Sequence, residues 1–132
     1  MAGSDPLLDA ARTARTRAMA RYSGFAVGAA LESTDDGIFT GCNIENASYG
    51  LTICAERVAL FSALCAGHRA FRRIVVLTDT AVPTPPCGPC RQVIWEFAGD
   101  IEVVLANLDG VQATYRMTEL LPHPFDDRNL GS

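Results

Sequence analysis

The sequence predicts a single α/β domain in which a mixed five-stranded sheet is covered by helices on both faces, a three-layer α-β-α arrangement. Two strands separated by a turn signal come first, and strands then alternate with helical segments, which is the order typical of such a sheet. The chain of 132 residues, 48% of them apolar, is long enough for one domain with its own core. We therefore expect residues 1–132 to form one domain.

The first third of the chain predicts a helix followed by a hairpin. Apolar residues at helical spacing run from Pro6 to about Arg21, with Ser4 or Asp5 as the N-terminal cap. The small residues Gly28–Ala30 predict that another element packs closely against the first strand of the hairpin. The hairpin itself comprises a strand over 25–31, a turn at Asp35-Asp36-Gly37 and a strand over 38–43.

The rest of the chain alternates between helices and strands. Residues Cys54–Ala66 form a helix ended by Gly67, and this helix is apolar on nearly every face. Such a helix is buried on more than one side, so in a domain this small we expect another subunit to cover it. The remaining elements are a buried strand over 73–78, a helix over 88–97 after a proline-rich loop, strands over 102–108 and 111–117, and a short helix from Thr118.

Charge and hydropathy argue against two classes of partner. The net charge of −4 disfavours binding to a nucleic acid polymer, which depends on neutralising several phosphates. The arginines at positions 12, 15, 17 and 21 are interpreted as a solvated helix face. No apolar run approaches the length that spans a bilayer, and the N-terminus lacks a secretory pattern. These features predict a cytosolic protein with no membrane partner.

Two short motifs predict a metal site. Cys54-Ala55-Glu56 supplies one thiolate, and Pro86-Cys87-Gly88-Pro89-Cys90 supplies two more. Three thiolates bind one Zn²⁺ per chain and leave its fourth position open, which is the pattern of a catalytic rather than a structural site. The same order of motifs is the general signature of zinc deaminases.

Residues beside the three cysteines predict how the site works. Glu56 is the candidate proton shuttle: it takes a proton from the activated water and delivers it to a ring nitrogen and to the departing amine. Three thiolates on Zn²⁺ carry excess negative charge, and Arg57 is placed to offset it by hydrogen bonding to sulfur. Arg91 and Gln92, just after Cys90, are further candidate donors to the sulfur atoms.

The cysteines allow other interpretations. Cys65 lies eleven residues after Cys54 on one helix, about 16 Å along its axis, so it cannot reach the same ion and is interpreted as core. Cys42, on the hairpin, is interpreted as core because free buried cysteine is common. Cys87-Gly88-Pro89-Cys90 is also a thiol–disulfide redox motif, but that interpretation leaves Cys54 and Glu56 unexplained. A purely structural zinc module would lack a fourth ligand.

Over nearly its whole length the chain resembles the small homotetrameric zinc-dependent cytidine deaminases. The combination of both zinc motifs with Asn43-Ile44-Glu45-Asn46 is more specific than either motif alone. The segments that carry the resemblance are Tyr22–Leu31, Gly41–Gly50, Cys54–Arg57, Pro86–Gln92 and Glu119–Pro122. The resemblance implies a cytidine-deaminase-like fold for the single catalytic domain.

The resemblance also implies the substrate contacts. Asn43 and Glu45 match residues that bind the sugar hydroxyl, and a carboxylate there favours a nucleoside over a nucleotide. Phe25 matches a residue that stacks on the pyrimidine, and the backbone of Ala55 matches a contact to the base edge. Further contacts in the family tetramer come from neighbouring subunits, at positions matched by Tyr49 and Phe125.

The predicted function is hydrolytic deamination of cytidine and 2′-deoxycytidine in pyrimidine salvage. Alternatives are a deaminase for a modified cytosine nucleoside such as blasticidin S, a polynucleotide-editing deaminase, and the disulfide oxidoreductase described above. The intact Asn43–Asn46 segment and Phe25 argue against the first alternative, and the acidic charge argues against the second.

Overall fold

A computed structural model describes residues 5–131 and confirms the predicted order of elements. Its helices and strands are α1 (Pro6–Arg15), β1 (Val27–Ser33), β2 (Ile38–Cys42), α2 (Ala55–Cys65), β3 (Phe71–Thr78), α3 (Gly88–Ala98), β4 (Glu102–Asn107), β5 (Gln112–Arg116) and α4 (Met117–Leu120). Two short 3₁₀ turns lie at Tyr49–Leu51 and Asp127–Leu130. No helix in this described part of the chain is long and apolar enough to span a bilayer.

The five strands form one mixed sheet in the order β2-β1-β3-β4-β5. β1 pairs antiparallel with both β2 and β3, and β4 pairs antiparallel with β5. β3 and β4 are parallel, because α3 makes the crossover connection between them. The predicted fold class is therefore confirmed, and the one parallel pair lies in the middle of the sheet.

Helices cover both faces of this sheet. On one face, Leu7 and Ala11 of α1 pack against a buried cluster from the three central strands, which includes Ala30, Val75 and Val104. On the other face, α2 and α3 pack over a second cluster that contains Leu31, Leu60, Ile74, Ile94, Val103 and Leu105. Burial of these apolar side chains on both faces is the main force that holds the three layers together.

Two glycines let the helices approach the sheet closely. A Cβ atom at Gly28 would lie 2.1 Å from the carbonyl oxygen of Ala11, and one at Gly41 would lie 2.4 Å from that of Ala55. Real Cβ atoms do not come this close to backbone, so any side chain there would push α1 or α2 away. The close packing predicted from the small residues of the hairpin is confirmed, and Gly41 sets how near the start of α2 lies to the sheet.

The first helix is shorter than the sequence pattern predicts. Asp5 caps it by accepting a hydrogen bond from the Leu7 N–H at 3.0 Å, while Ser4 lies outside the described residues. The prediction that the helix reaches about Arg21 is wrong, because α1 ends at Arg15. The backbone of Met19 instead bonds to the segment after β2, donating to the Asn43 carbonyl and accepting from the Glu45 N–H, both at 2.9 Å.

Candidate metal centre and active site

The three predicted metal ligands meet where two helices begin on the same face of the sheet. Cys54 is the N-cap of α2, Cys87 is the N-cap of α3, and Cys90 lies buried in the first turn of α3. The unpaired N–H groups and the positive end of each helix dipole stabilise thiolate over thiol. Residues that are 33 positions apart in the chain thus reach one point because α2 and α3 are neighbours.

The sulfur geometry fits a tetrahedral zinc ion. The Sγ atoms of Cys54 and Cys87 are 3.7 Å apart, those of Cys87 and Cys90 are 3.3 Å apart, and all three lie within 4.8 Å of one another. Zinc–sulfur bonds of about 2.3 Å at tetrahedral angles place sulfur atoms about 3.8 Å apart. Within residues 5–131 no histidine, carboxylate or further cysteine joins this group, so a fourth coordination position stays open.

The thiols of Cys54 and Cys90 shift each other's pKa in opposite directions. Hydrogen bonds from Cys90 and from Arg57 lower the pKa of Cys54 to about 5, although partial burial opposes this. The pKa of Cys90 is raised in return, because it donates to Cys54 and is itself buried. Both thiols must lose their protons before they bind a metal ion.

Arg57 lies against this group. Its Nη2 donates to the Cys54 Sγ at 3.4 Å, and this contact raises the already high pKa of the guanidinium. Its Nε is buried and has no hydrogen-bond acceptor among the described residues. A fixed positive charge beside three thiolates reduces the excess negative charge of the group.

Glu56 is buried beside the cysteines. Only 5% of the residue is exposed, and it is the second residue of α2, one position after Ala55. Burial raises the pKa of its carboxyl to about 7, and the negative charge of Cys54 adds to the shift. A carboxyl with a pKa near neutrality accepts and releases a proton with little cost, as a general acid–base group must.

A cavity of about 280 Å³ opens onto this group. Cys54, Glu56 and Cys87 line it together with Phe25, Asn43 and Glu45. Its other lining residues include Ala55 and several polar residues that sequence reasoning did not single out: Ser23, Thr52, Thr78 and Thr84. Ser23 belongs to the segment Tyr22–Leu31, which also contains Phe25 and carries part of the family resemblance. Its hydroxyl in that segment was the sequence signal that could have identified it as a lining residue.

Asn43 and Glu45 brace the segment that carries Phe25. The Asn43 amide accepts from the Val27 N–H at 2.9 Å and donates to the Phe25 carbonyl at 2.7 Å. Glu45 accepts from the N–H groups of Tyr22 and Ser23 at 2.9 and 3.0 Å, and from the Ser23 hydroxyl. The Ser23 hydroxyl is the main cause that lowers the pKa of Glu45, so the carboxylate stays charged.

Tyr49 and Phe125 are two exposed aromatic residues. Tyr49 is 76% exposed and makes an edge contact with Tyr22, with ring centroids 6.2 Å apart. Phe125 is 60% exposed, and neither residue is among the lining of the cavity that holds the cysteines. Their predicted role in a neighbouring subunit's site stays a prediction.

Arg91 and Gln92 have partners other than sulfur, which corrects their predicted role. Arg91 donates from Nε to the Pro86 carbonyl at 2.8 Å and from Nη1 to the Leu120 carbonyl at 2.7 Å. Gln92 bonds to both backbone groups of Phe125, at 2.8 and 3.0 Å. Arg91 therefore holds the loop before α3 and the end of α4, and Gln92 holds the C-terminal tail. Their hydrogen-bond donors are used by backbone carbonyls rather than by sulfur.

The two remaining cysteines lie outside the site. Cys42 is half-buried in β2, whereas Cys65 is exposed at the end of α2. The prediction that Cys65 belongs to the core is therefore wrong for the single chain. It lies on the same uncovered side of α2 as Phe61, which is 37% exposed.

A three-layer α/β domain with an open three-cysteine metal site beside a buried carboxyl is the architecture of a zinc-dependent deaminase. Residues 3–107 match the family model described as the cytidine and deoxycytidylate deaminase zinc-binding region. The chain belongs to this zinc-binding cytidine deaminase family. Cys54, Cys87 and Cys90 are positioned to bind a metal ion in this zinc-binding domain.

Individual relatives agree with this assignment. The chain is 50% identical over 126 residues to a cytidine deaminase from Halalkalibacterium halodurans, covering 95% of this chain and 96% of that one. It is 45% identical over 128 residues to one from Sporosarcina psychrophila, covering 96% and 94%. A crystal structure of cytidine deaminase from Burkholderia pseudomallei superposes with a TM-score of 0.88 at 52% identity, covering 90% of this chain and 96% of that one.

Proposed function

We propose that this enzyme hydrolyses cytidine and 2′-deoxycytidine to uridine and 2′-deoxyuridine with release of ammonia, as a step of pyrimidine salvage in the cytosol. The observation that carries the proposal is the buried Glu56 carboxyl next to three metal-binding sulfur atoms, in a cavity that Glu56 lines together with Cys54 and Cys87. The similar proteins named cytidine deaminases support the same reaction.

The residues divide the chemistry between them. Zinc held by Cys54, Cys87 and Cys90 would activate a water molecule for attack on C4 of the ring. Glu56 takes one proton from this water and donates it to the ring nitrogen. It then takes the second proton from the same oxygen, now bonded to C4, and donates it to the amino group as the C4–N bond breaks. Water and cytidine thus become uridine and ammonia with no other reactant. A pKa of about 7 suits Glu56 to both the accepting and the donating step.

The same cavity is proposed to bind the nucleoside. Phe25 lies against the pyrimidine face, and the Ala55 backbone contacts the base edge. Asn43 uses one amide N–H for the Phe25 carbonyl, so its second N–H is available to a sugar hydroxyl. Glu45 remains charged and accepts from a second hydroxyl, while repelling a phosphate in the same place. The geometry therefore favours a nucleoside over a nucleotide.

This selectivity gives the test of the proposal. Purified enzyme with about one zinc per chain is expected to deaminate cytidine, followed by loss of ultraviolet absorbance, far faster than cytidine 5′-monophosphate. Glu45→Gln is expected to lower kcat/KM for cytidine roughly ten- to hundredfold, since a charged hydrogen-bond acceptor is lost. It should also reduce the ratio of the rate with cytidine to the rate with cytidine 5′-monophosphate. The control Glu96→Gln removes the same charge from an exposed site on α3 and should leave both rates unchanged.

Other outcomes would redirect the assignment. Zinc-loaded enzyme that turns over blasticidin S or a cytosine-containing oligonucleotide faster than cytidine would replace the proposed substrate. If Glu45→Gln prefers cytidine over the nucleotide as strongly as the parent enzyme does, Glu45 does not determine this selectivity. The proposed reaction would not be affected by that result.

We also propose that the chain assembles as a homotetramer with shared sites. Phe61 and Cys65 leave one side of α2 uncovered, and Tyr49 and Phe125 present two exposed aromatic rings. Burial of these groups against neighbouring chains would place the aromatic residues at adjacent cavities. Sedimentation equilibrium is expected to give about four times the chain mass of 14.1 kDa. A monomer that is fully active would contradict both the assembly and the role of Tyr49 and Phe125.

A further inference from the structure

The connection between β3 and α3 carries a zinc ligand but has little backbone bonding of its own. It runs over residues 79–87, ends on Cys87, and places Thr84 and Pro85 in the cavity wall. Pro83, Pro85 and Pro86 have no N–H to donate. Within the part of the chain that the structure describes, no backbone–backbone hydrogen bond joins residues 79–86 to another segment. Side chains must therefore determine where this loop lies.

One side chain from β4 holds the beginning of the loop. The Nδ2 of Asn107 donates to the carbonyl oxygens of Thr80 at 2.9 Å and Ala81 at 3.2 Å. Its Oδ1 accepts from the N–H groups of Asp109 at 3.0 Å and Val111 at 2.9 Å, in the turn between β4 and β5. Two acceptors on one side and two donors on the other allow a single orientation of the amide.

Asn107 is buried in the protein interior and does not line the cavity. It is 1% exposed, lies at the end of β4, and is not among the residues that line the cavity. A buried amide with all four hydrogen-bonding positions filled is rigid, because leaving any of them unpaired costs free energy. The loop that it holds is consequently tied to the central sheet.

Thr80 extends this attachment to the cavity wall. Its hydroxyl is 2.6 Å from the Val82 carbonyl, 2.9 Å from the Thr78 hydroxyl and 3.2 Å from the Thr84 hydroxyl. A hydroxyl has one proton and two lone pairs. Since the carbonyl can only accept, the Thr80 proton goes to Val82, and both neighbouring threonines donate to Thr80. The chain of contacts therefore runs from β4 through Thr80 to Thr84 in the wall.

We infer that Asn107, acting through Thr80 and the loop, is a positioning residue for the zinc ligand Cys87 and for the cavity wall at Thr84. Cys87 follows the loop directly as the N-cap of α3, so a shift of the loop changes the position of its sulfur relative to those of Cys54 and Cys90. Residues that orient metal ligands typically change metal affinity 10- to 100-fold when replaced. Displacements of about 1 Å also lower turnover strongly. The inference concerns zinc retention and does not depend on which substrate the enzyme uses.

The experiment distinguishes the contacts that Asn107 donates to the loop from those that it accepts from the β4–β5 turn. Asn107→Asp keeps an acceptor for the β4–β5 turn but removes the donors to Thr80 and Ala81. Thr80→Val removes the hydroxyl contacts at nearly constant volume, and Thr80→Ser restores them. Gly110→Ala is the control: at φ of +88° it strains the same turn without contacting the loop. The readout is the rate of zinc transfer from zinc-loaded protein to a chromophoric chelator, together with thermal stability, kcat and KM.

Asn107→Asp and Thr80→Val are expected to release zinc roughly 10 to 100 times faster than the parent protein. Thr80→Ser should stay within about twofold, and Gly110→Ala should lower thermal stability with no comparable gain in zinc release. A Thr80→Val protein that keeps zinc as the parent does would overturn the inference, even if Asn107→Asp fails to fold. If zinc release rises in proportion to the loss of thermal stability in every variant, including Gly110→Ala, Asn107 has only a structural role. Failure of the proposed substrate would leave these rates unaffected.

Discussion

Glu56→Gln is expected to lower kcat for cytidine by about 10²- to 10⁴-fold while the protein keeps its zinc, because general acid–base groups contribute on this scale. Glutamine has nearly the same shape, but its amide neither accepts nor releases the proton that must travel from water to the leaving amine. The carboxyl is buried and its pKa is raised to about 7, which suits it to this proton transfer. Initial rates and a zinc count per chain measure the two quantities on the same sample.

The exposed carboxylate Glu96 supplies a matched control for this change. Glu96→Gln should leave both the rate and the zinc content at the parent level. Full activity in Glu56→Gln would show that another group moves the proton. Loss of zinc together with activity would instead assign Glu56 a role in holding the metal site.

Cys90→Ala is expected to remove both zinc and activity and to lower thermal stability. Cys90 is fully buried, and its sulfur is 3.3 Å from that of Cys87, so the change leaves two thiolates and a cavity at the junction of α2 and α3. Metal binding contributes to folding free energy whenever the site exists only in the folded state. Parent protein stripped with a chelator should show much of the same fall in melting temperature.

Cys42→Ala is the appropriate control, since Cys42 lies in β2 outside the metal group. This variant should retain about one zinc per chain and its activity. If Cys90→Ala still binds zinc as tightly as the parent, the three-sulfur site described here is not the zinc site.

Local sequence patterns were sufficient for the elements of this fold. Small and apolar residues before the turn signal Asp35-Asp36-Gly37 predicted the hairpin, and the apolar run before Gly67 predicted α2 to within a residue. The turn and cap signals are local because the side chains concerned bond to backbone a few residues away. The two cysteine motifs predicted the metal ligands for a similar reason, since their spacing places the thiolates at helix starts.

Contacts between segments that are far apart in the sequence could not be predicted from such local patterns. The end of α1 at Arg15 is decided by bonds between Met19 and the segment after β2, which no periodicity near Met19 reveals. Arg91 and Gln92 lie beside a zinc ligand in sequence, yet their donors go to backbone carbonyls of the preceding loop and the tail. Proximity in the chain was a poor guide here because long side chains select among several nearby acceptors.

The sequence by itself therefore determined the class of fold, the zinc ligands and the acidic residue beside them. Only the tertiary structure decided that Glu56 is buried enough to have a pKa near 7, that Asn43 and Glu45 also brace the Phe25 segment, and that Asn107 holds the loop before Cys87. The physical reason is the range of the interactions. Capping and periodicity act over a few residues, whereas desolvation and side-chain hydrogen bonds depend on which strands and helices become neighbours.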